Sequence, residues 1–128
     1  MASGNGTTLR VHMPQWQGGN VHDYWFGSQL LAWLAPPADG PVETVLVPEP
    51  EPDETLELED GLLARAAILK QARAAKAVIE RHQPDRIVML GGDCLVSLAP
   101  FAYLNARYGG ALGVLWVRAT LPNSTRVR

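Results

Sequence analysis

The sequence predicts an α/β protein built on a parallel sheet, and three observations carry that expectation. Residues 86–90, RIVML, and 112–117, LGVLWV, are apolar almost throughout rather than alternating, as strands buried on both faces are. Residues 60–84 repeat apolar side chains at intervals of three and four, as a helix does. Strand-like and helix-like stretches also alternate along the chain, the order that lays helices over both faces of a parallel sheet. Together these give a βαβαβαβ unit of four strands and three helices joined by right-handed crossovers.

Residues 7–13 begin the series as a short run with β-branched and apolar members, and the QWQGGN that follows is rich in turn formers. In DYWFGSQLLAWLAPP, from Asp23, the side chains of Phe26, Leu30, Trp33 and Leu34 fall on one helical arc. Asp23 is a natural N-cap, and Pro36-Pro37 stops the helix. VETVLV at 42–47 reads as the second strand, and the acidic, proline-rich PEPEPDETLELED after it as a solvated surface loop.

The long helix carries Leu62, Ala66, Leu69, Ala72, Ala75 and Ile79 on its inner stripe, with Arg65, Arg73, Lys76 and Glu80 outside. Glu59 and Asp60 precede it and Arg81 and His82 close it, the charge order a helix dipole favours. Pro84 ends it, and RIVML follows as the third strand. After GGDC, residues 95–110 read as a helix ending on Gly109 and Gly110, with Ser97 as N-cap so that Pro100 sits in the first turn. LGVLWV is the expected fourth strand.

Composition narrows the function classes. A chain of 128 residues makes at most one domain. A net charge of -2 offers no basic face for nucleic acid and no polybasic membrane anchor. The single cysteine forms no internal disulfide, the N-terminus MASGNGTTLR has no apolar signal core, and no apolar run approaches the roughly 18 residues of a membrane span. The expectation is a cytoplasmic protein.

Ligands of open parallel sheets bind beyond the carboxyl ends of the strands. The segments expected there are PQWQGGN, GGDC and RATLPN. Gly91 and Gly92 let the backbone turn tightly and bring Asp93 and Cys94 to that edge. Read from the residues alone, Asp93 caps or braces the turn and Cys94 is a small buried hydrophobe. No stretch has the G-x-G-x-x-G spacing of a dinucleotide site. His12, His22 and His82 read as surface or capping histidines, and Trp16, Trp25 and Trp33 as core and loop anchors.

Residues 86–117, RIVMLGGDCLVSLAPFAYLNARYGGALGVLWV, resemble the centre of the ureohydrolase family, the arginases and agmatinases. In that family a strand ending in Gly-Gly-Asp-His leads through a helix to a strand ending in Asp-Ala-His-x-Asp. MPQWQGGN and YWFGSQLLAWLAPP are similar to a bacterial arginase-like branch, so the resemblance covers nearly all of residues 9–117. It implies a three-layer αβα fold, of which this chain is about half, and a two-manganese centre whose bridging hydroxide attacks a guanidino substrate.

Carried over by position, the family's first metal-binding His falls on Cys94, and a thiolate suits manganese poorly. Where the Asp-Ala-His-x-Asp segment is due, the chain reads Arg118-Ala119-Thr120-Leu121-Pro122, so only Ala119 matches and both carboxylates and the imidazole are replaced. The resemblance therefore implies family descent without manganese bound by this chain. The expected organisation is residues 1–117 as the N-terminal half of an arginase-like domain and residues 118–128 as an irregular tail, the product of a truncation or a shift of reading frame. A non-catalytic binding module, with self-association through an exposed sheet edge, is the alternative. A cysteine-based enzyme ranks below both, because no histidine is placed by the sequence to activate Cys94.

Overall fold

In the computed structural model, which describes residues 6–117, the organising element is the strand β1 (Thr8–Met13). It is followed by α1 (Asp23–Leu34), β2 (Val42–Thr44), a hairpin of β3 (Leu58–Glu59) and β4 (Leu62–Leu63), α2 (Arg65–His82), β5 (Arg86–Gly91), a 3-10 turn (Cys94–Ser97) and α3 (Leu98–Arg107). The sheet order is β2-β1-β5 with both pairings parallel, so Val11 lies between Glu43 and Met89. The reading of residues 118–128 as a tail falls outside the described residues.

Alternation along β1 sorts the layers. Leu9, Val11 and Met13 join Val45, Ala75, Ile79 and Val96 in one core, with Ile87, Met89, Ala99 and Tyr103 packed against it. Helices α2 and α3 therefore cover that face. On the other face Arg10 Nη1 donates to the Pro36 carbonyl at 2.6 Å, and His12 Nε2 meets Ser28 Oγ of α1 at 3.1 Å. The result is α1, sheet, then α2 with α3. The chain steps from β1 to β2 on one face and returns across β1 to β5 on the other, so both crossovers share one hand, as the right-handed rule requires.

Polar clamps hold the periphery. Glu43 accepts from Arg81 Nη2 and His82 Nε2, both at 2.7 Å, tying β2 to the last turn of α2. Both partners hold the Glu43 carboxyl below the usual range, the His82 contact contributing most. At the amino edge, Asp85 accepts from the Thr7 amide at 2.7 Å and from Arg107, which draws its carboxyl down as well. Tyr108 Oη donates to the Asp85 carbonyl at 2.8 Å.

Several expectations change. The arc Phe26, Leu30, Trp33, Leu34 faces outward, with exposures of 65, 44, 79 and 63%, and the buried residue of α1 is Ser28, on the opposite side of the helix. The reason is on the sheet: the face toward α1 presents Arg10 and His12, which call for a small hydrogen-bonding side chain. Asp23 is the first helical residue rather than a cap, with His22 before it.

The acidic connector is not wholly loop. Asp60 (φ +50°) and Gly61 (φ +81°) make the two-residue turn of the β3–β4 hairpin, since a type I′ turn needs positive φ at both positions. The hairpin delays α2 until Arg65, and the Glu59 carboxylate accepts from the Ala66 amide at 2.7 Å, capping the new start. The buried stripe of α2 is Ile68, Gln71, Ala75 and Ile79; Leu69 and Ala72 are half-buried, Ala66 is exposed, and Leu62 belongs to β4.

VETVLV forms a strand only over Val42–Thr44, and LGVLWV forms none. Leu115 and Val117 are 90 and 86% exposed. Beyond β5 the α1-side face is open, Val88 being 41% exposed, so pairing there would cover only one face of this apolar run. Gly109 and Gly110 end α3 with positive φ, as read from the sequence. Ser97 makes no side-chain cap; the Asp93 carboxylate caps the 3-10 turn before it. Among the described residues, no helix is long and apolar enough to cross a membrane.

The two faces differ in what substitution should cost. Ile79→Ala, at a fully buried site, is expected to lose about 2–5 kcal/mol in urea denaturation. Trp33→Ser should stay within about 0.5 kcal/mol of wild type; a loss as large as that of Ile79→Ala would show that α1 packs by its apolar arc after all.

Candidate functional site

Beyond the carboxyl ends of β1 and β5, the loop 14–20 and the turn 91–94 meet at the crevice where the sheet's connections diverge to either side of β1. Backbone approach sets the contact. The Asp93 amide donates to the Gln15 carbonyl at 2.9 Å, and a Cβ on Gly92 would collide with that same carbonyl oxygen. Glycine is required at 92 by proximity to this neighbour.

Asp93 fills the crevice. Its Oδ2 accepts from the Gly18 amide at 2.8 Å and its Oδ1 from the Leu95 amide at 2.9 Å. With 6% of its surface exposed, burial pushes its carboxyl above the usual range, against the pull of the Leu95, Gly18 and Gly19 amides. This is the brace read from the sequence, and it reaches loop 14–20 as well as its own turn. Cys94 differs from expectation: its side chain is exposed, because the 3-10 turn directs Val96 inward against Gly91.

Residues 14–17 of the loop are buried and anchored by side chains. Gln15 Nε2 donates to Gln71 Oε1 of α2 at 2.7 Å, and Trp16 Nε1 donates to the Pro48 carbonyl at 3.3 Å. Trp25 Nε1 reaches the Val47 carbonyl at 3.1 Å. The His22 ring stands edge-on to Trp16 with centroids 4.7 Å apart, its Nε2 3.1 Å from the Glu54 carbonyl. Trp16 and Trp25 are thus the anchors expected, while Trp33 is a surface residue.

The Gln15–Gln71 pair was missed in the sequence reading. Its signal was present, since Gln71 follows Ile68 by three and precedes Ala75 by four on an otherwise apolar stripe. Gln15 Oε1 is buried without a partner among the described residues.

His12 is not a surface histidine. It is 9% exposed, and burial lowers its pKa, opposed by the contact with Ser28. Ser28 Oγ also lies 3.4 Å from the Leu90 carbonyl, so the hydroxyl links β1, α1 and β5.

Among the described residues, no three His, Cys, Asp or Glu side chains converge as metal ligands would. The expected positions Asp93 and Cys94 diverge, the carboxylate turned in to backbone amides and the thiol out to solvent. No known protein-family model matches the chain, and no curated protein matches it.

Burial of neutral His12 makes stability depend on pH. Its folded-state pKa lies below the unfolded value of about 6.5, so the unfolded chain takes the proton first. Its contribution is fully present above pH of about 6.5 and declines as pH falls toward the folded-state value. Urea midpoints measured from pH 8 to pH 5 should therefore fall, with a flatter slope in His12→Asn. Equal slopes for the two proteins would contradict this.

Proposed function

We propose that the chain is an arginase-like member of the ureohydrolases that does not itself hydrolyse guanidino compounds. The family part rests on the resemblance together with a compatible arrangement: a parallel αβα core with Gly91-Gly92-Asp93 at the carboxyl end of β5, against the loop after β1. The observation that carries the loss of activity is the state of Asp93 and Cys94. The carboxylate is consumed by the amides of Gly18 and Leu95, and the neighbouring thiol faces solvent alone. A soft sulfur donor and an already satisfied carboxylate do not fit a two-manganese centre, which needs several hard ligands at once. A reducing, cytoplasmic compartment and no nucleic-acid partner belong to the same proposal, supported by the single cysteine and the net charge of -2.

Purified protein incubated with manganese is expected to hold none in stoichiometric amount and to release no urea from arginine or agmatine. Cys94→His should change neither result. Measurable guanidino hydrolysis by either protein would overturn the reading.

Self-association is favoured by a separate observation. The outer edge of β5 is unpaired among the described residues, and Val114, Leu115, Trp116 and Val117 expose 59, 90, 55 and 86% of their surfaces. Exposed apolar surface and an open sheet edge each invite a second copy. Sedimentation should show concentration-dependent association that Leu115→Lys weakens; a monomer at every concentration tested would refute it.

A further inference from the structure

The other wall of loop 14–20 encloses something different. A cavity of about 350 Å³ lies beyond the carboxyl ends of β1 and β2, between Trp16 and Gln17 of the loop, Leu46 and Pro48 after β2, and α2. Ala67 and Ala74 extend its apolar wall, and Lys70, Gln71 and Glu54 supply the remaining polar groups. This size and this mixture of apolar wall with a few polar groups suit a small organic ligand.

The walls are preorganised. Trp16 is 1% exposed and fixed by the Pro48 carbonyl on one side and the His22 ring on the other. Gln71 and Gln17, 4 and 5% exposed, commit their carbonyl oxygens to Gln15 Nε2 and to the Trp16 amide, which leaves their Nε2 groups as donors for the cavity. Glu54 is held by the Glu51 amide, which donates to its Oε2 at 3.0 Å.

The charges identify the ligand class. Lys70 and Glu54 border one cavity, yet neither enters an ion pair among the described residues. An ammonium with two amide donors calls for a carboxylate, and the carboxylate of Glu54 calls for a cation. A monovalent anion or cation would leave one of the two charges opposed by its own sign. We propose that this cavity binds a small zwitterion of amino-acid size, its carboxylate on Lys70, Gln17 and Gln71, its cationic group on Glu54, and its aliphatic body against Trp16 and Leu46. The proposal stands on the cavity alone and does not depend on descent from the ureohydrolases.

The test uses the full chain with 4-aminobutyrate, 5-aminovalerate and 6-aminohexanoate as probes, and pentanoate and pentylamine as single-charge controls. Binding is read from the Trp16 indole N–H and the Gln71 side-chain amide resonances by NMR. At least one zwitterion should bind saturably with Kd of roughly 1 mM or tighter, about tenfold or more tightly than either control. Lys70→Met and Glu54→Gln, exposed positions whose folding is verified by circular dichroism, should each abolish that preference. No saturable shift with any zwitterion up to roughly 10 mM, equal binding of the controls, or an unchanged preference in both folded variants would overturn the assignment.

Discussion

The structure hangs on the burial of one strand. Among the described residues, β1 alone has a parallel neighbour on each edge, and β2 and β5 are registered to each other only through it. Leu9, Val11 and Met13 are 0, 0 and 1% exposed, and side chains of this kind contribute about 1.5–3 kcal/mol each when fully buried. Its alternate residues decide what α1 is allowed to be. The loop that leaves it forms a common wall, holding the Asp93 brace on one side and the zwitterion cavity on the other, so both features inherit their geometry from where Met13 ends.

Much of this was legible where a single physical rule dominates. The spacing through Ala75 and Ile79 describes a buried surface and both residues are buried, whereas the apolar run at 86–90 forms the expected parallel strand but packs only Ile87 and Met89 against the core, Val88 staying open on the other face. Proline and glycine punctuated the chain as their backbone restrictions demand, at Pro36, Pro84, Gly109 and Gly110. Periodicity was insufficient in α1, because it locates an apolar arc without naming the surface it meets. The missing information sat in β1, whose even positions Arg10 and His12 describe a polar floor that an apolar arc does not fit. The Asp60-Gly61 turn was written plainly but lay within an acidic stretch whose composition suggested only solvent exposure.

The site was legible to a similar depth. A short carboxylate after two glycines is a turn brace by elementary hydrogen-bond chemistry, and Asp93 is one. What the sequence could not supply is how far the brace reaches, since Gly18 lies 75 residues away. Cys94 illustrates the converse: cysteine is commonly buried, but successive residues of a 3-10 turn step round its axis by about 120°, so Cys94 and Val96 face different ways and Val96 takes the inner place. His12 was misjudged because a histidine within a strand belongs to whichever layer that strand's alternation assigns it, and here that layer is closed over by Ser28.

The parallel pairing of β1 with β5 has a consequence for how the chain comes into being. Thr8 and Arg86, partners in the sheet, are 78 residues apart. At a synthesis rate of about 5–20 residues per second, the strand on which everything else is registered waits roughly 4–16 s for its second neighbour to be made. The β3–β4 hairpin and the start of α2, by contrast, close through contacts a few residues long and can form as soon as they emerge. Assembly is thus local in the middle of the chain and delayed at the central strand of its sheet. The most deeply buried strand is made before the partner that completes its pairing, so Leu9, Val11 and Met13 are the apolar side chains that wait longest for their cover.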